Sequence, residues 1–298
     1  MTQSPVAFFV FNRPALTARV FESIRRARPA KLLLVADGPR KDHPSDAGRC
    51  QEVLEIISRV DWPCDVYRQF SGINLGCKER VSSGLDWTFK MVDRAIVLED
   101  DCWPAPDFFP FCDSMLDRYA ADTRIMQVCG NNLAGKRVPI IDSYSFSKIG
   151  PIWGWASWRR AWTFYDVDMK SWPKVVEEKI YEQFWDLSHE ISFRFPLYQE
   201  VYSGKVNTWD IQWGYAKLLQ RGLSIIPAEN LISNLGFDDG SESTHTGNKD
   251  HPAAALPCGG LQFPLRHPTI VERNKRLELG IDTLLSGRPL SLNPEDEP

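Results

Sequence analysis

Val6-Ala7-Phe8-Phe9-Val10-Phe11 is a continuous apolar run, and similar runs recur at Leu32-Leu33-Leu34-Val35-Ala36 and Ala95-Ile96-Val97-Leu98. A strand apolar on both faces must be covered on both faces, so such runs belong inside a parallel sheet rather than in a half-exposed hairpin. Each run stops at polar or turn-forming residues: Asn12-Arg13-Pro14, Asp37-Gly38-Pro39 and Glu99-Asp100-Asp101. Helical spacing follows the first two, with Leu16, Val20 and Ile24 after one and Val53, Leu54, Ile56 and Ile57 after the other. A weaker strand signal at Val66-Tyr67 leads through Asn74-Leu75-Gly76 into a helix marked by Val81, Leu85 and Phe89. Four strands separated by helices predict an α/β fold, a central mostly parallel sheet flanked by helices.

In such a sheet the carboxyl ends of the strands face a common crevice where ligands bind. That edge would gather Asn12-Arg13, Asp37, Asn74 to Gly76 and the three acids Glu99, Asp100 and Asp101. Crowded carboxylates repel one another unless a cation sits between them, and hard oxygen ligands suit Mg²⁺ or Mn²⁺ rather than zinc. Alone, the triplet serves equally as a strand cap that opens a solvated loop. Beside three other polar strand ends it has the shape of a metal-diphosphate site. Asp37 before Gly38 is otherwise a routine turn, but in that crevice it is placed to accept hydrogen bonds from a base or ribose. Arg80, one turn into its helix, has the reach for a phosphate and fits a solvated helix face equally well.

The 298 residues, 43% hydrophobic and 25% charged, suffice for one large domain or two small ones. A net charge of -4 gives no general attraction to nucleic acid, so an anionic ligand needs a local device such as a cation or a helix N-terminus. Seven cysteines, odd in number, scattered and never spaced C-x-x-C, argue against a disulfide framework or zinc cluster and for a reducing cytoplasm. Neither a signal peptide nor a stretch of about 20 apolar residues is present, so the expectation is a soluble protein, at most peripheral to the inner face of a membrane. Residues after Leu285 read as a frayed tail.

The second half is less regular. Gly150-Pro151-Ile152-Trp153-Gly154-Trp155-Ala156-Ser157-Trp158 sets three tryptophans around a glycine. Flat indoles stack on the C–H faces of a sugar, and Gly154 would let the backbone approach a ligand closely, although an aromatic core patch explains any single tryptophan. Asp210 opens a helical stretch carrying Tyr215, Ala216, Leu218 and Leu219, with Gly222 as its stop, where capping is a complete structural reason for an acid. Strand-like Leu223 to Pro227 and Leu231 to Ser233 precede a polar, glycine-bearing segment from Asn234 to Gly247.

The run Val6 to Pro14, the strand-ending Asp37, Asn74-Leu75-Gly76 and the Glu99-Asp100-Asp101 triplet together resemble the GT-A fold glycosyltransferases, in particular the N-acetylglucosaminyltransferase I-like branch and bacterial relatives. The likeness covers roughly residues 5 to 250. It implies one GT-A, Rossmann-like domain over 1–260, with a nucleotide-binding half (1–130), a mixed donor-sugar and acceptor half (131–260), and a C-terminal extension and tail (261–298). In that family the triplet stands where others carry Asp-x-Asp. By resemblance Asp101 binds a Mn²⁺ or Mg²⁺ ion that bridges the donor diphosphate, Asp100 supports the ribose or metal shell, and Asp37 holds the base. Phe11, Asn12, Arg13, Asn74, Arg80, Glu99, Gly154 and Trp155 complete the donor side. Asp210 becomes the general base of an inverting transfer, and His245 a second metal ligand on a segment that orders over the donor.

The expected activity is transfer of a hexosyl or N-acetylhexosaminyl group from a UDP-sugar to a glycan or lipid-linked hydroxyl, as in polysaccharide biosynthesis. A catalytically silent carbohydrate-binding or interaction protein of the same fold is the alternative from another class. A sugar nucleotidyltransferase is the third, although such enzymes usually follow the first strand with a glycine-rich phosphate loop and this chain has Asn12-Arg13-Pro14-Ala15.

Overall fold

The computed structural model describes residues 1–186, 188–237, 253–254 and 256–286. The first half contains β1 (Val6–Val10), α1 (Pro14–Ala27), β2 (Lys31–Ala36), α2 (Asp46–Ile57), β3 (Asp65–Phe70), α3 (Gly76–Met91), β4 (Arg94–Glu99), β5 (Cys102–Pro104), α4 (Phe108–Arg118) and β6 (Ile125–Cys129). There follow β7 (Tyr144–Ser147), β8 (Trp155–Trp158), α5 (Arg159–Trp162), α6 (Trp172–Glu177), α7 (Ser188–Tyr202), α8 (Asp210–Leu219), β9 (Leu223–Pro227), β10 (Ile232–Asn234) and α9 (Lys275–Ser286).

Eight strands form one mixed, mostly parallel sheet in the order β3-β2-β1-β4-β8-β6-β9-β7. The pairs β1–β2, β2–β3, β1–β4 and β6–β9 are parallel, while β8 runs antiparallel between β4 and β6 and β7 antiparallel to β9. The chain steps outward from β1 through β2 to β3 and then returns to place β4 on the other side of β1. This reversal makes the carboxyl ends of β1 and β4 the switch point at which an open α/β sheet leaves a crevice.

The period of two in each strand sorts its side chains between two cores. Phe8, Leu34, Ile96 and Leu98 pack with Val20 and Ile24 of α1, Val53 of α2 and Phe111 of α4. Their neighbours Phe9, Val35 and Val97 face Leu85 and Phe89 of α3, Trp162 of α5 and Trp213 of α8. Both faces are therefore covered, which is why these strands carry unbroken apolar runs. A third core joins α6, α7, α8 and α9 and includes Trp172, Tyr198, Tyr215, Leu277 and Ile281.

Two expectations change here. The segment 150–158 is not one loop: Trp155 to Trp158 form β8, in the middle of the sheet, with Val97 opposite Trp155 and Ala95 opposite Ser157. The extension beyond residue 260 includes α9, whose Leu277 and Ile281 are fully buried, so it helps to close the second half. All seven cysteines are free thiols. Among the described residues no helix is long and apolar enough to cross a membrane.

Candidate active site

β4 ends at Glu99, and the two following acids turn the chain into β5, which pairs antiparallel with β10. Leu235 N–H donates to the Asp101 carbonyl at 2.8 Å, so the turn is clamped from both sides. It is not the start of a solvated loop: Asp100 is 2% exposed. The cation between the carboxylates is supplied by the chain itself. Arg13, which caps α1 at the end of β1, donates from one terminal nitrogen to Asp100 and from the other to Asp101 at 3.0 Å. Burial opposes the guanidinium charge, but Asp100 and Asp101 outweigh it and raise the Arg13 pKa above its ordinary value.

Glu99 has no such partner among the described residues. Burial first, then the charges of Asp101 and Asp100, push its carboxyl up to about 8 against the pull of Arg13. Burial also raises Asp100, which accepts a second hydrogen bond from Phe11 N–H at 3.3 Å. Asp100 therefore braces the β1 end and Arg13. That correction moves it off the ribose and metal shell, because its oxygens are buried and engaged.

Glu99 and Asp101 line a cavity of about 380 Å³ together with Thr208, Trp209 and Asp210 at the start of α8. Asp210 is the first residue of that helix, after Trp209 at the cap, and accepts a hydrogen bond from Thr208 Oγ1. The cap position is Trp209 rather than Asp210, and the hydrogen bond found for the Asp210 carboxylate comes from Thr208 and not from a helix N–H. Cys77, at the start of α3, lines the same cavity. Burial and the charges of Glu99, Asp210 and Asp101 push its thiol up to about 12.

The tryptophan segment divides at Gly154. Gly150 to Trp153 line the cavity, with Trp153 set edge-on to Phe237 at 5.6 Å between ring centres. Trp155 is 1% exposed and stacks on Trp209 at 5.7 Å on the core face of β8. Gly154 has φ +59°, and a Cβ there would lie 2.4 Å from Ile232 Cδ1. Both donor-sugar assignments are thereby corrected: Trp155 is a core side chain, and the glycine makes room for Ile232 rather than for a ligand. Behind Gly150 lies a buried polar cluster in which Lys217 donates to Gln127 Oε1 at 2.5 Å and Ser224 Oγ at 2.8 Å, while Gln127 Nε2 donates to the Pro151 carbonyl at 2.7 Å. Burial pushes the Lys217 amine down to about 8.

The remaining expected donor residues lie along the same sheet edge outside the cavity wall. Asp37 accepts from Gly38 and Leu75 N–H at 2.9 Å, Asn74 Nδ2 at 3.0 Å and Gly76 N–H at 3.1 Å. Burial pushes its carboxyl up while those donors and Arg80 pull it back. Four donors fill the acceptor capacity of a carboxylate. Asp37 thus orders the β3–α3 turn, with Asn74 as its strut, and has no lone pair left over for a base. Arg80 is buried, bonded to Gln69, and lowered in pKa by that burial, so the solvated-face reading fails. Asn12 donates to Asp46 at 2.8 Å; Arg40 binds the same carboxylate at 2.7 Å and stands 5.4 Å over the Phe11 ring. Neither Arg40 nor Asp46 was singled out from the sequence, where they lie in a charged stretch with no motif. His245 lies outside the described residues.

A divalent cation fits the donor chemistry here. Glu99 and Asp101 line one cavity with Asp210, and the three bases of its lining are engaged with other groups: Lys148 with Asp186, Arg194 with Asp282, and Lys217 with Gln127 and Ser224. Among the described residues no three His, Cys, Asp or Glu side chains form a metal cage. Magnesium-type sites commonly take one or two carboxylates and complete the shell with substrate phosphate and water, which this arrangement permits. A larger hollow of about 760 Å³ at the amino edge of the sheet has no acid cluster, and its Arg159 and Arg160 are spent on the carbonyls of Lys90, Tyr119, Ala120 and Ile125.

No protein-family model matches the sequence, and no curated protein matches it. Among solved structures, a UDP-glucose pyrophosphorylase complexed with UDP-glucose aligns at 8% identity and a TM-score of 0.26, over 50% of this chain and 58% of that one. The chain thus spans less than two thirds of that neighbour, and a likeness so slight assigns no activity.

Proposed function

We propose that this protein is a metal-dependent glycosyltransferase of the GT-A type that moves a sugar from a UDP-sugar to a hydroxyl of a glycan or lipid-linked acceptor. One observation carries the reading: Glu99 and Asp101 at the switch point and Asp210 at the start of α8 line a single cavity with Trp153. An acid pair after β4 and a separate carboxylate on α8 suit a reaction that stabilises a leaving diphosphate and deprotonates an incoming hydroxyl.

Asp101 would hold the Mn²⁺ or Mg²⁺ ion, with His245 as a second ligand, and the ion would supply charge stabilisation for the departing diphosphate. Trp153 offers its ring to the sugar. Asp210 accepts the acceptor hydroxyl proton as that oxygen bonds to the anomeric carbon and the bond from that carbon to the diphosphate breaks. The direct displacement inverts the anomeric centre. Buried Lys217 and Gln127 fix the backbone of the Gly150 to Trp153 wall through the Pro151 carbonyl.

The test is product identity. With Mn²⁺ and a panel of UDP-sugars, the protein should release free UDP together with transferred or hydrolysed sugar. Formation of pyrophosphate from UTP and a sugar phosphate would make it a nucleotidyltransferase instead, and binding without turnover of any donor would leave a carbohydrate-binding protein.

A further inference from the structure

We propose that Arg13 is an exchangeable counter-ion: it holds Asp101 while the site is free and releases that carboxylate when a divalent cation and a diphosphate arrive, making metal and nucleotide binding interdependent. The inference rests on the metal-dependent reading above and adds to it a residue that sets the order and affinity of loading.

The two partners of the guanidinium are unequal. Asp100 has a side chain 3% exposed and is also tied to Phe11 N–H, so its bond to Arg13 is internal and lasting. Asp101 has a side chain 14% exposed and lines the cavity, so its bond at 3.0 Å can be exchanged from the ligand side. The Arg13 backbone is fixed at the start of α1, where its carbonyl accepts from Thr17 N–H at 2.9 Å and Thr17 Oγ1 at 2.8 Å. Among the described residues every side-chain hydrogen bond of Arg13 goes to these two acids.

A planar fork of this kind matches carboxylate and phosphate oxygens alike. A cation approaching Asp101 alone must displace one arm of that fork and meets its positive charge. A diphosphate arriving with the cation offers the displaced arm new oxygens, so the penalty disappears. Three acids against one guanidinium leave up to two formal negative charges, which one divalent ion neutralises. By linkage, whatever nucleotide adds to metal affinity, metal adds equally to nucleotide affinity.

The test is Mn²⁺ binding by calorimetry and by loss of the free-ion electron spin resonance signal, with and without UDP, in wild type, Arg13→Gln and Arg13→Lys. An arm closed for about nine-tenths of the time weakens apparent metal affinity about tenfold. Arg13→Gln should therefore bind Mn²⁺ alone about tenfold tighter than wild type and show a smaller gain on adding UDP. Arg13→Lys, which keeps the charge but cannot span both acids, should fall between them, and carries the comparison if the glutamine variant does not fold. Equal or weaker Mn²⁺ binding in folded Arg13→Gln, with wild type still binding Mn²⁺ and UDP together, overturns the counter-ion role and leaves the metal-dependent function standing. No Mn²⁺ binding by wild type under either condition removes both.

Discussion

Replacing Gly154 with alanine separates a packing role from a ligand-facing one. The residue sits at φ +59°, a left-handed conformation that costs an L side chain about 1–2 kcal/mol. The added methyl would also lie 2.4 Å from Ile232 Cδ1, 2.8 Å from its Cγ1 and 3.2 Å from Leu98 Cδ2. Ile232 is 1% exposed and Leu98 fully buried, so neither has open space to move into. Overpacking a filled core costs about 1–3 kcal/mol, which brings the expected loss to about 2–5 kcal/mol. Set against a total of about 5–15 kcal/mol for a typical protein, this is a severe lesion. Urea unfolding followed by tryptophan fluorescence should show a clearly lower midpoint with little change in slope. Because Ile232 belongs to β10, which clamps the acid turn through β5, ligand affinity should weaken only as far as that strand shifts. A variant as stable as wild type that has lost donor binding would refute the packing account and return Gly154 to the ligand.

Asp210→Asn should keep the fold and UDP binding and lose roughly 10²-fold or more in transfer rate, since an amide cannot accept the hydroxyl proton; transfer within tenfold of wild type removes Asp210 as base. Glu99 governs pH behaviour. Its folded carboxyl keeps its proton up to about 8, whereas an ordinary glutamate loses it near 4.5, so the folded state binds more protons across that window and stability falls as pH rises through it. Thermal melts from about pH 5 to about pH 9 should show this decline in wild type, its reversal by Mn²⁺, and its absence in Glu99→Gln; a flat wild-type profile contradicts the assignment.

The first half of the sheet was legible because β1, β2 and β4 are covered on both faces and so carry unbroken apolar runs. β6 was not, because Gln127 interrupts Ile125 to Cys129; only the fold reveals that Gln127 is satisfied by Trp213, Lys217 and Pro151. β8 reads as a loop because Gly150, Pro151 and Gly154 precede it, and its two tryptophans, three residues apart, give no alternation of period two. The site residues carry unequal signals. An acid triplet after a strand and an acid at a helix start are visible locally, and the fold adds that they face one cavity. Asp37 and Gly154 were identified as positions that matter, but hydrogen-bond saturation and a steric neighbour are tertiary facts with no local trace. The pairing of Arg13 with the triplet has the same character, since 87 or more residues of chain separate the partners.

The central claim is that the acids after β4 hold a divalent cation against a nucleotide diphosphate, and calorimetric titration of UDP in the presence and absence of Mn²⁺ tests it most directly. Wild type should bind UDP with Mn²⁺ and bind it far more weakly once the ion is chelated. Asp101→Ala should lose that difference while staying folded, because Arg13 keeps its bond to Asp100 and no apolar packing is removed. Equal UDP affinity with and without Mn²⁺ in wild type, or an undiminished Mn²⁺ effect in folded Asp101→Ala, would contradict the account.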